Sequence, residues 1–509
     1  MTLGYLLAAT EPWSGVQWVL VALILIFGFY TAWNIGANDV ANAMGTSVGS
    51  GALTLTAAVV LAAIFEFAGA YVVGADVSDT VRKKMFDPTA LTDIYGDVAH
   101  FYLACGMIAS LMAAGTWLLV ATWLSWPVST THSIVGAVVG FGCVALGFSG
   151  IEWNTVGIIS AGWVVSPLIS GAIAYVVFSI LLRMVFYKKD PVAAARRVTP
   201  YLMFSVISVL VGVTTYKGLK PYWKRLEKDP KDPEFILWVL VVTAVLGTIG
   251  FFITKYFLRN YKSSSTTGSS TNPVLDADVS RSIAKAEMHL RRIRSGSEGE
   301  LHDRAEKLLE ELDSVAKIAN DRVIANTDSD DLKQVEKIFV ILQVLTACLV
   351  AFAHGSNDVA NAIGPLSAAY QAVSEGVVSA KATTPKWALA LGGIGIVIGL
   401  ATWGWRVIRT VGKRITELTP SRGFCAEFAA AITILFASTM GLPLSTTHTL
   451  VGAVLGVGLA RGLGALNLRT MRDIVAGWAI TIPAGAILSI VFYLILKAIF
   501  IDSGWATAG

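Results

Sequence analysis

One polar signature occurs twice inside segments otherwise apolar enough to cross a bilayer, and nothing else in the chain restricts its fold so strongly. Gly36-Ala37-Asn38-Asp39-Val40-Ala41-Asn42-Ala43 returns as Gly355-Ser356-Asn357-Asp358-Val359-Ala360-Asn361-Ala362. Pro127-Val128-Ser129-Thr130-Thr131-His132 returns in the same order as Pro443-Leu444-Ser445-Thr446-Thr447-His448. An ionisable side chain at bilayer depth costs about 2.5–3.5 kcal/mol on the gentler scales, so its presence argues for a function. Two copies in fixed order argue for an internally duplicated transporter, with its site where the copies meet.

The remaining sequence supplies the material that crosses the bilayer. Of 509 residues, 55% are hydrophobic and only 15% charged, which excludes an ordinary soluble domain. Apolar segments at 16–34, 52–74, 100–124, 132–150, 155–187, 200–217, 235–258, 337–354, 387–408, 423–441, 448–466 and 473–500 predict about twelve transmembrane helices. The first of these lacks a basic leader and a cleavage site, and reads as a retained span. The formal charge of +4 is small and its basic residues gather between spans. That distribution sets orientation in a membrane and does not suit nucleic-acid binding. Cys105, Cys143, Cys348 and Cys425 stand singly and read as small buried residues.

The expected fold is therefore an all-α integral membrane protein. Residues 1–190 form a first repeat, 191–260 linking transmembrane helices, 261–336 a cytoplasmic hydrophilic loop, and 337–509 a second repeat. Seven predicted crossings separate the starts of the two repeats, and an odd number places them in opposite orientations. Segments 40–50 and 359–369 are too short and polar to span alone. They are expected as re-entrant or broken helices, with Gly36 and Gly355 unwinding the backbone.

Orientation follows from the basic residues. Lys188, Lys189, Arg196 and Arg197 share one side with Arg406, Arg409, Lys413, Arg414, Arg422, Arg461, Arg469, Arg472 and the hydrophilic loop. That side is expected to be cytoplasmic, with both termini outside. Arg82-Lys83-Lys84 and the cluster of Lys217, Lys220, Lys224, Arg225, Lys228 and Lys231 fall on the other side. Asp76 and Asp79 read as loop residues at the membrane edge. The hydrophilic loop opens with a Ser/Thr/Gly-rich linker near 262, and apolar residues at helical spacing over 301–312 predict a helical hairpin.

The chemistry belongs to the repeated motifs. Asp39 shares a helix face with Asn42, as does Asn38, and Asn357, Asp358 and Asn361 repeat the pattern. Carboxylate, amide and freed carbonyl oxygens suit a small hard cation, while the same side chains could also hydrogen-bond helices together. After each proline, Ser129, Thr130 and Thr131, or Ser445, Thr446 and Thr447, begin a helix. There the hydroxyls and bare N–H groups either cap the helix or bind an anion. Two such starts converging from opposite halves would surround a tetrahedral oxyanion. His132 and His448 follow directly, as proton carriers or as locks on the cap. Glu66 and Glu427 lie in apolar runs, are not repeat mates, and need a cation or a hydrogen-bond partner. No phosphate-binding P-loop is present, so an ion gradient or a separate subunit is the expected source of energy, with no cofactor.

On these residues the chain resembles the inorganic phosphate transporter family of sodium- or proton-coupled symporters, across nearly all but the hydrophilic loop. The resemblance implies phosphate held by the two Ser-Thr-Thr segments, cations ligated by Asp39, Asn42, Asp358 and Asn361, and importance for Glu66 and Glu427. It also implies a homodimer in the plasma membrane, in contact with lipid. Residues 64–67 and 74–83 look more like the sodium-coupled branch. A proton-coupled phosphate, metal-phosphate or sulfate symporter is the alternative. A passive anion channel and a membrane enzyme are the rivals outside the class.

Overall fold

The computed structural model describes residues 13–83, 85–226, 229, 231–260, 273–327, 330–378, 384–408, 418–461 and 468–505. Among these the structure is helical, apart from one isolated bridge between Phe86 and Ile151. In chain order the helices are α1 (Gly15–Gly49), α2 (Leu55–Val73), α3 (Ala75–Lys83), α4 (Ala90–Tyr95), α5 (Ala99–Trp123) and α6 (Thr130–Leu146). They continue as α7 (Trp153–Leu181), α8 (Pro191–Arg225), α9 (Pro233–Phe257), α10 (Pro273–Ser295) and α11 (Glu300–Thr327). The last are α12 (Asp330–Glu375), α13 (Lys386–Thr402), α14 (Pro420–Thr439), α15 (Thr446–Arg461) and α16 (Leu468–Lys497). Among the described residues nine helices are long and apolar enough to cross a membrane, while α6 and α13 are apolar but shorter. Every expected apolar segment overlaps a helix.

The chain divides into two compact units. The larger holds Met1–Phe178, Ser205–Gly247 and Ile341–Gly509. In it α1 packs on α5 and α13, α13 on α2, α16 on α5 and α6, and α14 on α15. Glycines set the closest crossings. A Cβ on Gly36 would collide with the Ile396 carbonyl, and one on Gly399 with the Trp33 carbonyl. The second copy repeats the arrangement: Gly355 meets the Glu66 carbonyl and Gly69 the Phe352 carbonyl. Lipid gives helices no hydrophobic reason to associate, so close backbone packing over small residues does that work.

These crossings correct one expectation. Gly36 and Gly355 do not unwind their helices, because α1 and α12 run straight through both motifs. A glycine in mid-helix here serves close approach. The breaks fall instead between α5 and α6 and between α14 and α15, just before the Ser-Thr-Thr segments. At matching places in these breaks, Ser125 (φ 58°) and Gly441 (φ 68°) adopt the left-handed conformation.

A second correction concerns Asp76 and Asp79, which belong to helix α3 and not to a loop. Lys217, buried on α8, meets Asp76: its Nζ donates to Asp76 Oδ2 and, at 3.3 Å, to the Thr439 carbonyl. Lys217, Lys220, Lys224 and Arg225 are thus helical, which dissolves most of the basic loop expected there. Lys84, Lys228, Arg409, Lys413, Arg414 and the linker at 262–272 lie outside the described residues.

The smaller unit holds Ser179–Phe204 and Thr248–Val340. Its α10 and α11 form the expected hairpin, turning at Gly299 (φ 69°), with His302 Nδ1 donating to the Arg294 carbonyl at 3.1 Å. Ala305 is buried while Leu301 and Leu308 stay exposed. Cys105, Cys348 and Cys425 are buried, as small apolar residues should be, and Cys143 is half-buried.

Candidate functional site

The two motifs meet inside the larger unit. On α1, Asn42 Nδ2 donates to Asp39 Oδ1 at 3.0 Å and to Thr447 Oγ1 at 2.8 Å. On α12, Asn361 Nδ2 donates to Thr130 Oγ1 at 3.2 Å and to Thr131 Oγ1 at 3.3 Å. Thr446 Oγ1 donates to Asp358 Oδ2 at 2.7 Å. Each amide therefore reaches the hydroxyl segment of the other copy, and the expected pairing of Asp39 with Asn42 is present.

Asn38 and Asn357 go elsewhere. Asn38 Nδ2 donates to Thr122 Oγ1 at 3.0 Å and to the Trp126 carbonyl at 3.2 Å. Asn357 Nδ2 donates to Ser438 Oγ at 3.0 Å and to the Leu442 carbonyl at 3.2 Å. Both amides hold the broken chain that leads into a Ser-Thr-Thr segment, so neither shares its bonds with Asn42 or Asn361.

Ser129 Oγ accepts from the His132 N–H and Ser445 Oγ from the His448 N–H, each at 3.2 Å, which makes both serines N-caps. The second threonine of each segment crosses to the opposite copy. Thr131 Oγ1 donates to the Leu444 carbonyl at 2.8 Å and Thr447 Oγ1 to the Val128 carbonyl at 3.3 Å. Ser129, Thr130, Thr131, Ser445, Thr446 and Thr447 are all buried. Two helix N-termini thus lie side by side, each with bare N–H groups and about half a positive charge.

Beside them lies a buried ionisable cluster of Asp39, Glu66, His354 and Asp358. His354 Nε2 stands 2.9 Å from Asp358 Oδ2 and 3.7 Å from Asp39 Oδ2, and its Nδ1 stands 3.3 Å from Glu66 Oε1. Asp39, His354 and Asp358 place their ligand atoms within 4.8 Å of one another. Among the described residues Asp39 Oδ2, Asp358 Oδ1 and Asn361 Oδ1 have no hydrogen-bond donor. Pro365 adds a backbone oxygen: lacking an N–H, it leaves the Asn361 carbonyl without its helical donor. Such oxygens are the ligands of hard cations, and carboxylates buried without counter-charge are costly.

His354 is absent from the sequence-derived set. It stands immediately outside the repeated octet, opposite Ile35 in the first copy, so reasoning from repetition passes over it. Its signal is a titratable residue at the end of an apolar run.

Glu427 occupies a separate cluster. Thr46 and Ser47 hydroxyls donate to its Oε1 at 2.6 Å, Gln343 Nε2 to the same oxygen at 3.3 Å, and Thr346 Oγ1 to Oε2 at 2.6 Å. Gly423 makes room for Gln343, whose amide would collide with a Cβ there. Gln343 and Thr346 share a helix face, a pattern visible in the sequence only once Glu427 is known to face them.

Residues 35–489 match the model of the phosphate transporter family. A protein of Chlamydia pneumoniae with a provisional phosphate-permease name is 44% identical over 482 residues, covering 94% of this chain and 99% of its own. The chloroplastic inorganic phosphate transporter 2-1 of Arabidopsis thaliana is 41% identical over 93% of this chain and 72% of its own. The solved structure of a protein named the sodium-dependent phosphate transporter superposes with a TM-score of 0.73 at 34% identity, covering 94% of this chain and 100% of that one.

Proposed function

The chain belongs to the phosphate transporter family, and from that premise we propose that it imports inorganic phosphate together with sodium ions. Phosphate lies between the two Ser-Thr-Thr helix starts, which offer hydroxyls, bare N–H groups and positive dipole ends. Sodium is a second substrate. Asp39, Asn42, Asp358 and Asn361 take it at the centre, next to Glu66, and Glu427 takes it among the Thr46, Ser47 and Thr346 hydroxyls. Asn38 and Asn357 hold the chain breaks. Cations beside the anion offset its charge, so that neither enters the low-dielectric interior alone.

One observation carries this reading: the amide of each Asn-Asp motif bonds a threonine of the opposite Ser-Thr-Thr segment, so cation and anion sites share a wall. Inverted halves with about twelve crossings, both termini outside and the α10–α11 hairpin in the cytoplasm complete the proposal. The matched crossings of Gly36 with Ile396 and Gly355 with Glu66 support the duplication. A plasma-membrane homodimer is part of the same reading.

Proton coupling is the second reading, favoured by His354 standing among three carboxylates. Purified protein in proteoliposomes decides between them when sodium, proton and voltage gradients are imposed separately. Labelled phosphate accumulating only with an inward sodium gradient is the expected result. Accumulation driven by a proton gradient without sodium replaces sodium by protons. Flux that never exceeds equilibrium indicates a channel.

A further inference from the structure

Behind the two helix starts, four rings form an exchanged pair. His132 Nδ1 meets the Trp478 carbonyl at 3.4 Å while its ring lies against Trp163, centroids 3.9 Å apart. His448 Nδ1 meets the Trp163 carbonyl at 3.0 Å while its ring stacks on Trp478, centroids 3.5 Å apart. Each tryptophan thus gives its ring to one histidine and its carbonyl to the other. The two imidazoles touch, with centroids 4.5 Å apart.

A carbonyl only accepts, so both Nδ1 atoms donate. Both histidines are 4% exposed, and among the described residues neither Nε2 has a hydrogen-bond partner. Among the described residues the rings that face each imidazole are those of a tryptophan, Trp163 or Trp478, and of the other histidine.

Sequence explains why one arm is shorter. In a helix the Trp163 carbonyl would accept from the N–H of residue 167, but that residue is proline and has none. His448 supplies the missing donor. The Trp478 carbonyl faces Ile482, which keeps its N–H, so His132 meets an acceptor already engaged by its helix. A proline within a transmembrane helix needs such a substitute partner.

We propose that His132 and His448 are positioning residues for the anion site, with Pro167 freeing the carbonyl that anchors the stronger arm. The proposal rests on the reading of the Ser-Thr-Thr segments as the phosphate site. Two helix N-termini held side by side repel through their like partial charges when no anion lies between them. The clasp resists that repulsion one residue beyond the threonines, without touching the anion. It keeps both starts at the separation at which one oxyanion meets both.

Asparagine and glutamine at position 448 test this, because the Asn amide falls near the Nδ1 position and the Gln amide near Nε2. His448→Asn is expected to keep the wild-type KM for phosphate within about twofold, with an unchanged pH profile of uptake. His448→Gln is expected to raise that KM at least tenfold, with the KM for sodium moving far less. Pro167→Ala, which restores the N–H, is expected to raise the phosphate KM in the same direction. If a variant does not reach the membrane, the same Asn and Gln pair at His132 gives the answer. Equal phosphate KM in the Asn and Gln variants overturns the proposal. So does loss of the pH profile in His448→Asn, which would make the ring a proton carrier. A wild-type protein that neither transports phosphate nor is thermally stabilised by it overturns the phosphate reading instead. The clasp is then read from detergent stability, where Asn above Gln is its remaining signature and equality removes it.

Discussion

Asn42 of the first motif donates to Thr447 of the second hydroxyl segment at 2.8 Å, across 405 residues of chain. The opposite copy answers with Asn361 and Thr130 at 3.2 Å. These crossed bonds join four segments into one buried cluster, so a change in any one segment should be felt by the others.

Asp39→Asn and Asp358→Asn should each abolish sodium-driven phosphate uptake while protein remains in the membrane. Each change removes one negative charge and one carboxylate ligand oxygen from the proposed cation site. Radiolabelled uptake beside an immunoblot of the membrane fraction is the check. Normal uptake in both variants would defeat the cation assignment.

Glu427→Ala should destabilise the protein as well as impair it. It strips the acceptor from the Thr46, Ser47 and Thr346 hydroxyls, each bonded at 2.6 Å. An orphaned buried donor costs about 1–3 kcal/mol. Glu427→Gln keeps an oxygen acceptor and should melt nearer to wild type, yet show a higher KM for sodium. Equal melting temperatures for the two variants would count against the hydroxyl cage.

Gly36→Ala and Gly355→Ala should lower the folded yield and the melting temperature. The added methyl meets a backbone carbonyl, which cannot rotate away as a side chain can. Overpacking of this kind costs about 1–3 kcal/mol. Gly157→Ala, where a Cβ would meet nothing, is the matched control and should be silent in the same melt.

His354→Leu should lose uptake as severely as Asp358→Asn. It removes the imidazole that stands 2.9 Å from Asp358 and 3.3 Å from Glu66, leaving both buried carboxylates without that partner. Combining it with Glu66→Gln should recover part of the lost stability, because one of the stranded charges is gone. A double variant that melts no higher than His354→Leu alone would show that the two residues do not act together.

Legibility in the sequence depended on the kind of signal. Duplicated octets and hexads marked Asp39, Asn42, Asp358, Asn361 and the six hydroxyl residues as candidates, because polar residues in lipid-crossing runs stand out from their surroundings, and the structure buries them all. Gly36 and Gly355 misled: glycine permits both unwinding and close approach, and only a neighbouring helix selects between them. Asp76 reads as a loop residue because hydropathy finds lipid-crossing runs, and Ala75–Lys83 is a short polar helix that leaves no such run.

Sequence alone determined that this chain is helical, crosses a membrane repeatedly and carries a duplicated polar motif, since hydropathy and repetition are properties of local order. Tertiary structure alone decided that Asn38 bonds Thr122 and the Trp126 carbonyl at the chain break while Asn42 bonds Asp39 and Thr447. It also decided that His354 joins Glu66 to two aspartates, and that His448 completes the carbonyl which Pro167 leaves bare. The physical reason is that a buried polar atom must find a partner, and which partner lies within about 3 Å depends on the helix packed beside it.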